Sequence, residues 1–284
     1  MTTSTSKEYV FAFFGTDAFS VTVLEQLKAS GILPTLVVTA PDRKQGRGMQ
    51  LTAPAAKVWA ESQIKPIPVF QPEVLNHEAV AKLSEQTWDF FIVTSYGIIV
   101  PQTIIDIPAH GILNVHPSLL PKHRGATPIE TAMMEDEKET GVTVMLVDKK
   151  MDHGPILTQE FVSFKSWPAK PEVSTTLAEI GGTLLTETIP LYLSGDITPQ
   201  KQDHSFATFT KKIKKQDGEL SSLDKASARE NYLKYLALQP WPGTFFFDEQ
   251  NKRIKITKAR YEDDLFVIEK VIPEGKKEQD YTQK

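Results

Sequence analysis

The order of apolar segments predicts an α/β protein with a doubly wound, mostly parallel sheet, followed by a small second domain of mostly β structure. Up to residue 193, short apolar runs alternate with segments whose apolar residues recur at helical spacing, which is typical of parallel sheets with helices on both faces. The run Phe90-Phe91-Ile92-Val93 is apolar at every position, as expected of a strand that is buried on both faces. In such sheets the functional site lies at the carboxyl ends of the strands.

The individual elements follow from apolar spacing and from turn residues. The apolar run 9–14 predicts a strand that ends at Gly15, and the helix predicted over 18–30 is closed by Gly31. Residues 40–54 are predicted to form a loop. Further strands are expected at residues 36–38, 69–70, 90–93, 111–115, 142–147 and 156–164, and further helices at 55–63, 73–85 and 174–193.

The second domain follows a segment without periodicity. Residues 194–210 are rich in turn formers and predict a linker, which places the two domains at 1–193 and 211–284. The second domain is expected to contain a helix near 225–238 and strands at 244–247, 253–258 and 266–271.

Composition and charge limit the possible functions. The hydrophobic fraction of 40% and the charged fraction of 24% are those of a soluble globular protein, and the polar start lacks the apolar core of a signal peptide. We therefore expect a cytoplasmic protein with no membrane partner. The absence of cysteine excludes disulfides, thiolate nucleophiles and thiolate metal sites. A net charge of −4 gives no general attraction to nucleic acid, so any such contact must use local basic patches.

The most informative segment begins at Asn114, near the end of the predicted strand 111–115. Asn114 and His116 are two residues apart, so in a strand their side chains point to the same side. An amide that donates to a carbonyl oxygen and an imidazole that titrates near neutral pH suit chemistry at an acyl carbon, where a proton must move. Taken alone, an Asn-x-His pair is more often a buried histidine beside a turn asparagine than a functional site. The flanking residues are therefore needed to choose between these two interpretations.

The segment Asn114-Val115-His116-Pro117-Ser118-Leu119-Leu120-Pro121-Lys122-His123-Arg124-Gly125 resembles the signature of the folate-dependent formyltransferases. A second match, Met151-Asp152-His153-Gly154-Pro155, follows the predicted strand 142–147 and is similar to the family's catalytic aspartate loop. The resemblance implies a Rossmann-like formyltransferase sheet, a catalytic triad of Asn114, His116 and Asp152, and 10-formyltetrahydrofolate as the formyl donor. The loop departs from the commoner Thr-Gly-Asp ending, so His153 is expected to add a titrating group.

The same resemblance implies where the folate lies. The expected contacts are Ser118, Leu119, Leu120 and Pro121, with Ile98 and Val100 as a second apolar wall. Arg124 is expected either to pair with a carboxylate or phosphate or to lock the loop. No metal is expected, because His110, His116 and His123 have the spacing of no common ligand set.

The acceptor must be inferred from other segments. The basic loop from Pro41 to Gly48 is similar to the loop that methionyl-tRNA formyltransferases use against the tRNA acceptor stem, and this implies tRNA contacts by Arg43, Lys44 and Arg47. The turn Gln239-Pro240-Trp241-Pro242-Gly243 resembles the turn that opens the C-terminal domain of those enzymes. That domain is expected to be a shortened OB-like fold that binds tRNA through a basic face including Lys212 and Lys214.

These matches favour transfer of a formyl group to methionine on initiator tRNA, in translation initiation, by a monomeric enzyme. Three alternatives remain. A sugar-nucleotide N-formyltransferase would share the triad and the Leu-Leu-Pro loop, and a formyltetrahydrofolate hydrolase would use the same three residues on water. A non-catalytic RNA- or folate-binding relative would have no need of the complete set of Asn114, His116 and Asp152.

Overall fold

The computed structural model describes residues 8–45 and 48–282. These residues form two compact units that are interleaved along the chain. The first unit contains the described residues up to 124, together with 141–162 and 175–208. The second contains 125–140, 163–174 and the described residues from 209 onward. The domain boundaries expected at residues 193 and 211 stay a proposal.

In the described part of the chain, seven strands form one sheet: β1 Phe11–Gly15, β2 Leu36–Val38, β5 Val69–Phe70, β6 Phe90–Thr94, β7 Ile112–His116, β8 Glu139–Leu146 and β9 Ile156–Ser163. Their order across the sheet is β5-β2-β1-β6-β7-β8-β9. The pairs β1–β2, β1–β6, β2–β5 and β6–β7 are parallel, and β7–β8 is antiparallel. The predicted α/β class with a mostly parallel sheet is therefore confirmed.

The apolar runs of the sequence supply the core of this sheet. Phe11, Phe13 and Phe14 of β1 and Phe90 and Phe91 of β6 are fully buried, as expected of central parallel strands covered on both faces. The helices are α1 Ala18–Ala29, α2 Ala55–Glu61, α3 His77–Leu83, α4 Gln102–Ile105, α5 Pro128–Met134, α6 Lys170–Ser194 and α7 Ala228–Ala237. None of the helices in the described ranges is both long enough and apolar enough to cross a membrane.

The second unit contains an antiparallel sheet of β10 Phe245–Phe247, β11 Arg253–Glu262, β12 Leu265–Pro273 and β13 Gln279–Asp280. These strands lie in the order β10-β11-β12-β13. Helix α7 contacts α5, β11 and β12, and the guanidinium of Arg253 lies 3.8 Å from the ring centre of Phe245. The predicted β region at this end of the chain is confirmed, whereas its OB-like character stays a prediction.

Some of the elements predicted from the sequence differ from those of the structure. Residues 40–54 are not a plain loop, because they contain a hairpin of β3 Arg43–Gln45 and β4 Gln50–Thr52. Helix α3 begins at His77 rather than at residue 73, since the Asn76 side chain accepts hydrogen bonds from the backbone N–H groups of Glu78 and Ala79 and so caps it there. The short helices α4 and α5, of four and seven residues, were not predicted from the sequence.

Candidate active site

Strand β7 positions the asparagine and histidine of the predicted triad. Asn114 pairs in register with Val93 of β6 and Met145 of β8, and His116 pairs with Thr143 of β8. The two side chains lie on one face of the strand, with Asn114 partly buried and His116 only 5% exposed. An amide and an imidazole therefore face the same side at the carboxyl end of the central sheet.

His116 is held in a defined orientation by the loop that follows β7. Its Nε2 atom lies 3.0 Å from the backbone carbonyl oxygen of His123. Because a carbonyl can only accept, Nε2 must carry a proton and donate it. The proton state of the ring can therefore change only at Nδ1, which is the nitrogen on the side of Asp152.

Asp152 reaches His116 from the loop between β8 and β9. Its Oδ1 atom lies 3.7 Å from Nδ1 of His116, and the side chains of His116 and Asp152 are 6% and 14% exposed. This separation is longer than a direct hydrogen bond, but in a poorly solvated site it gives a strong charge attraction once the imidazole is protonated. The structure thus brings His116 and Asp152 together, as the sequence motifs predict.

The predicted folate loop is fastened to the sheet through one buried hydroxyl. Thr143, which is fully buried, donates from Oγ1 to the Ser118 carbonyl at 2.7 Å and accepts from the Leu120 backbone N–H at 3.2 Å. The amide of Gln159 donates to the same hydroxyl and to the Leu120 carbonyl. Thr143 and Gln159 were not identified from the sequence, because one threonine in an apolar strand gives no distinct signal.

The predicted folate residues differ in how much surface they offer. Ser118 and Leu120 are buried, whereas Leu119 and Pro121 are partly exposed. Ile98 is partly buried against a core cluster. The predicted wall residue Val100 is 8% exposed and belongs to that same cluster. The side chains with surface available to a ligand are therefore Leu119, Pro121 and Ile98, and the other predicted contacts would be made through backbone groups.

Arg124 locks the loop to a neighbouring segment. Its Nε and Nη2 atoms donate to Oε1 of Gln202 at 3.1 and 2.5 Å, and Nη2 lies 2.8 Å from Nδ1 of His204. Burial lowers the pKa of the Arg124 guanidinium, and the negative charges of Asp152 and Asp148 oppose that change. The contacts support the loop-locking alternative for Arg124. Gln202 is 5% exposed, and it lies within the segment predicted to be a linker.

His153 belongs to a small group of ionisable side chains next to the Arg124 contacts. Its Nδ1 atom lies 2.6 Å from Oδ2 of Asp148, and its ring stacks on that of His204 with the centres 4.1 Å apart. Desolvation, followed by the nearby positive charges of His153, Arg124 and Lys150, lowers the pKa of His204. The extra titrating group expected at His153 is therefore paired with a second histidine.

The residues predicted to contact tRNA are exposed where the structure describes them. Arg43 and Lys44 lie on the β3–β4 hairpin of the first unit, and Lys212 and Lys214 precede a 3-10 turn of the second unit. The hairpin is anchored at its start by an ion pair between Lys57 and Asp42 at 2.9 Å. Arg47 lies outside the described residues.

Comparisons with known proteins agree with the motifs. A family model described as Formyl transferase matches residues 7–189. The methionyl-tRNA formyltransferase of Chloroflexus aurantiacus is 40% identical over 248 residues, covering 87% of this chain and 78% of that relative. Two solved structures have the same fold, each with 16% sequence identity to this chain and a TM-score of 0.64. One is a methionyl-tRNA formyltransferase from Clostridium thermocellum, and the match covers 93% of this chain and 98% of that chain. The other is a sugar N-formyltransferase from a Shewanella species, and the match covers 88% of this chain and 97% of that chain.

Proposed function

Because this chain belongs to the formyl transferase family, we propose that it transfers the formyl group of 10-formyltetrahydrofolate to the α-amine of methionine on initiator tRNA. The observation that carries the chemistry is the approach of the Asp152 carboxylate to within 3.7 Å of His116, on the strand that also presents Asn114. The acceptor is supported by relatives such as the Chloroflexus enzyme, which matches most of this chain and is a methionyl-tRNA formyltransferase.

The reaction needs no covalent enzyme intermediate, because the amine of the aminoacyl group is itself the nucleophile. Its attack on the formyl carbon places negative charge on the formyl oxygen. Asn114 donates a hydrogen bond to that oxygen, an effect worth about 3–4 kcal/mol for a well-placed donor. The bond between the formyl carbon and N10 of the folate then breaks, and N10 receives a proton.

His116 supplies the proton transfer and part of the charge stabilisation. Since its Nε2–H is held by the His123 carbonyl, Nδ1 is the atom that takes a proton from the attacking amine, directly or through water. The resulting imidazolium is stabilised by the negative charge of the Asp152 carboxylate. The same proton is then available for the departing N10 atom of the folate.

The donor lies along the loop after β7. The loop from Ser118 to Pro121 is fixed by Thr143 and Gln159, so its backbone groups are already in place for the polar edge of the pterin. Leu119 and Ile98 contact the apolar faces of the ring. A fixed loop lowers the entropic cost of binding, because fewer groups are ordered when the ligand arrives.

The tRNA is bound through local basic groups. Arg43, Lys44 and Arg47 contact the acceptor stem, and Lys212 and Lys214 contact the tRNA from the second unit. The enzyme acts as a monomer without a metal ion. A sugar nucleotide is the competing acceptor, and the likeness to a sugar N-formyltransferase is a likeness of fold.

The experiment that tests the proposal compares acceptors with one donor. The purified chain is supplied with 10-formyltetrahydrofolate and either methionyl initiator tRNA or a nucleotide-linked amino sugar, and kcat/KM is measured for each acceptor. We expect the tRNA to be preferred by at least about a hundredfold, because positioned phosphate and base contacts are absent from the sugar. Efficient formylation of the sugar with no reaction of the tRNA would contradict the proposal.

A further inference from the structure

We propose that Gln202 is a positioning residue, whose side-chain amide holds the Asp152 loop in the conformation that presents the Asp152 carboxylate to His116. The inference rests on the proposed function, since it assigns Gln202 a part in the same proton transfer. The side chain of Gln202 bonds the backbone of the Asp152 loop and the guanidinium of Arg124, so it acts on the reaction through these neighbours.

The contacts of Gln202 connect two segments of the site. Its Nε2 atom donates to the carbonyl oxygen of Asp152 at 3.0 Å and to that of Gly154 at 2.7 Å. Its Oε1 atom accepts two hydrogen bonds from the Arg124 guanidinium. Arg124 follows the loop whose His123 carbonyl holds His116. One buried amide thus joins the loop that orients His116 to the loop that carries Asp152.

The chemistry of the neighbours fixes the direction of this amide. A guanidinium has only donors, so the Gln202 oxygen must face Arg124. The amide nitrogen must then face the two carbonyls, which only accept. If the amide were reversed, its NH2 group would face two N–H donors of Arg124, and its oxygen would face two carbonyl oxygens. Because Gln202 is 5% exposed, water cannot readily replace a lost partner, so a buried group left unpaired would destabilise the reversed orientation.

The Asp152 loop requires such support because its backbone is strained. Asp152 has a φ of 49°, in the left-handed region, which is unfavourable for a residue with a side chain. Gly154 is also tightly confined, since a Cβ atom there would lie 1.9 Å from the Leu146 carbonyl oxygen. The hydrogen bonds from Gln202 to the carbonyls on both sides of His153 hold this conformation. Without them, the carboxylate of Asp152 would move relative to Nδ1 of His116.

Two substitutions separate positioning from simple stability. Gln202→Glu keeps the shape and the acceptor for Arg124 but removes both donors to the Asp152 loop. Gln202→Met removes donor and acceptor together and serves if the first variant does not fold. Gln200→Ala is the matched control, because Gln200 is an exposed glutamine of the same segment. Its described hydrogen bonds, both to Ile156, are made by the backbone, so the substitution leaves them in place.

The readout is the split between kcat and KM for formylation of charged tRNA, with thermal unfolding as the check of folding. We expect Gln202→Glu to lower kcat by about ten- to a hundredfold, the scale of a displacement near 1 Å in an active site. The KM for the folate donor should change by less than about twofold, because the loop from Ser118 to Pro121 keeps its anchor at Thr143. Gln200→Ala should match the parent protein.

A double-variant cycle gives the decisive comparison. If Gln202 acts through Asp152, Gln202→Glu should lower kcat by less than about a further twofold in an Asp152→Asn background, because the effects of substitutions at interacting residues are not additive. An equal loss in both backgrounds, or unchanged kcat in a folded Gln202→Glu protein, would overturn the inference. Failure of the parent protein to formylate tRNA would instead overturn the proposed acceptor. In that case the same cycle, measured on the slow hydrolysis of the folate donor, would still test the role of Gln202.

Discussion

Replacing Asp152 by asparagine removes one charge from the site while keeping the size of the side chain. The carboxylate lies 3.7 Å from Nδ1 of His116, so its main effect on the reaction is the attraction it exerts on the imidazolium formed during proton transfer. The neutral amide cannot exert that attraction. We therefore expect Asp152→Asn to lower kcat while leaving the binding of a folate analogue unchanged, since the anchor at Thr143 is untouched.

The size of the loss follows from the distance and the burial. At this separation, two unit charges attract by about 1 kcal/mol in water and by about 4 kcal/mol at the effective dielectric constant of a protein site. The side chains are only 6% and 14% exposed, so the upper part of that range applies. A hundredfold loss of rate corresponds to about 2.7 kcal/mol. Asp152→Asn should accordingly lower kcat by at least about a hundredfold.

The assay is single-turnover formylation of charged initiator tRNA at saturating folate donor. Asp196→Asn is a matched control, because Asp196 is exposed and its carboxylate accepts a hydrogen bond from Ser194 at the end of α6. The control should retain the parent rate. A folded Asp152→Asn protein with nearly normal turnover would refute the assignment of Asp152 and the electrostatic reasoning behind it.

Three further substitutions test the other parts of the site. Arg47→Ala should weaken formylation of charged tRNA by at least about tenfold, with hydrolysis of the folate donor unchanged and with tRNA binding weakened by added salt; an unaltered kcat/KM for tRNA would remove Arg47 from the interface. Thr143→Val leaves the partners of a buried hydroxyl unpaired, so urea unfolding should show a loss of about 1–3 kcal/mol, and no loss would mean that the loop is held by other contacts. Gly154→Ala should lower kcat by at least about tenfold, because its Cβ atom would lie 1.9 Å from the Leu146 carbonyl and the loop must move; normal activity would show that the loop tolerates displacement.

The fold could be predicted where one physical signal dominates. Continuous apolar runs such as Phe90-Phe91-Ile92-Val93 correspond to buried central strands, because a parallel sheet is covered on both faces. The hairpin of β3 and β4 was missed because the exposed residues of β4 leave no apolar alternation to detect. Short strands such as β3 and β4 are held by hydrogen bonds between their backbones, and hydrophobic periodicity gives no sign of such pairing.

The site could be predicted only as far as its motifs extend. Asn114 and His116 could be found because an amide and an imidazole two residues apart on a strand suit acyl chemistry, whereas Asp152 was added by the resemblance to the folate-dependent formyltransferases. The structure brings His116 and Asp152 together. Gln202 was missed because its segment, rich in turn residues, indicates a linker, whereas its role depends on contacts with Arg124 and the Asp152 loop. Such contacts join positions about eighty and fifty residues apart, and one sequence carries no signal of them.

The fate of the formyl carbon tests the central claim most directly. The chain is incubated with 10-formyltetrahydrofolate labelled with carbon-13 in the formyl group and with charged initiator tRNA, and the aminoacyl group is released and examined by mass spectrometry. We expect the label in N-formylmethionine, in an amount equal to the tetrahydrofolate produced. Label recovered as formate, with methionine unmodified and tetrahydrofolate still produced, would show that water is the acceptor and would contradict the proposed function.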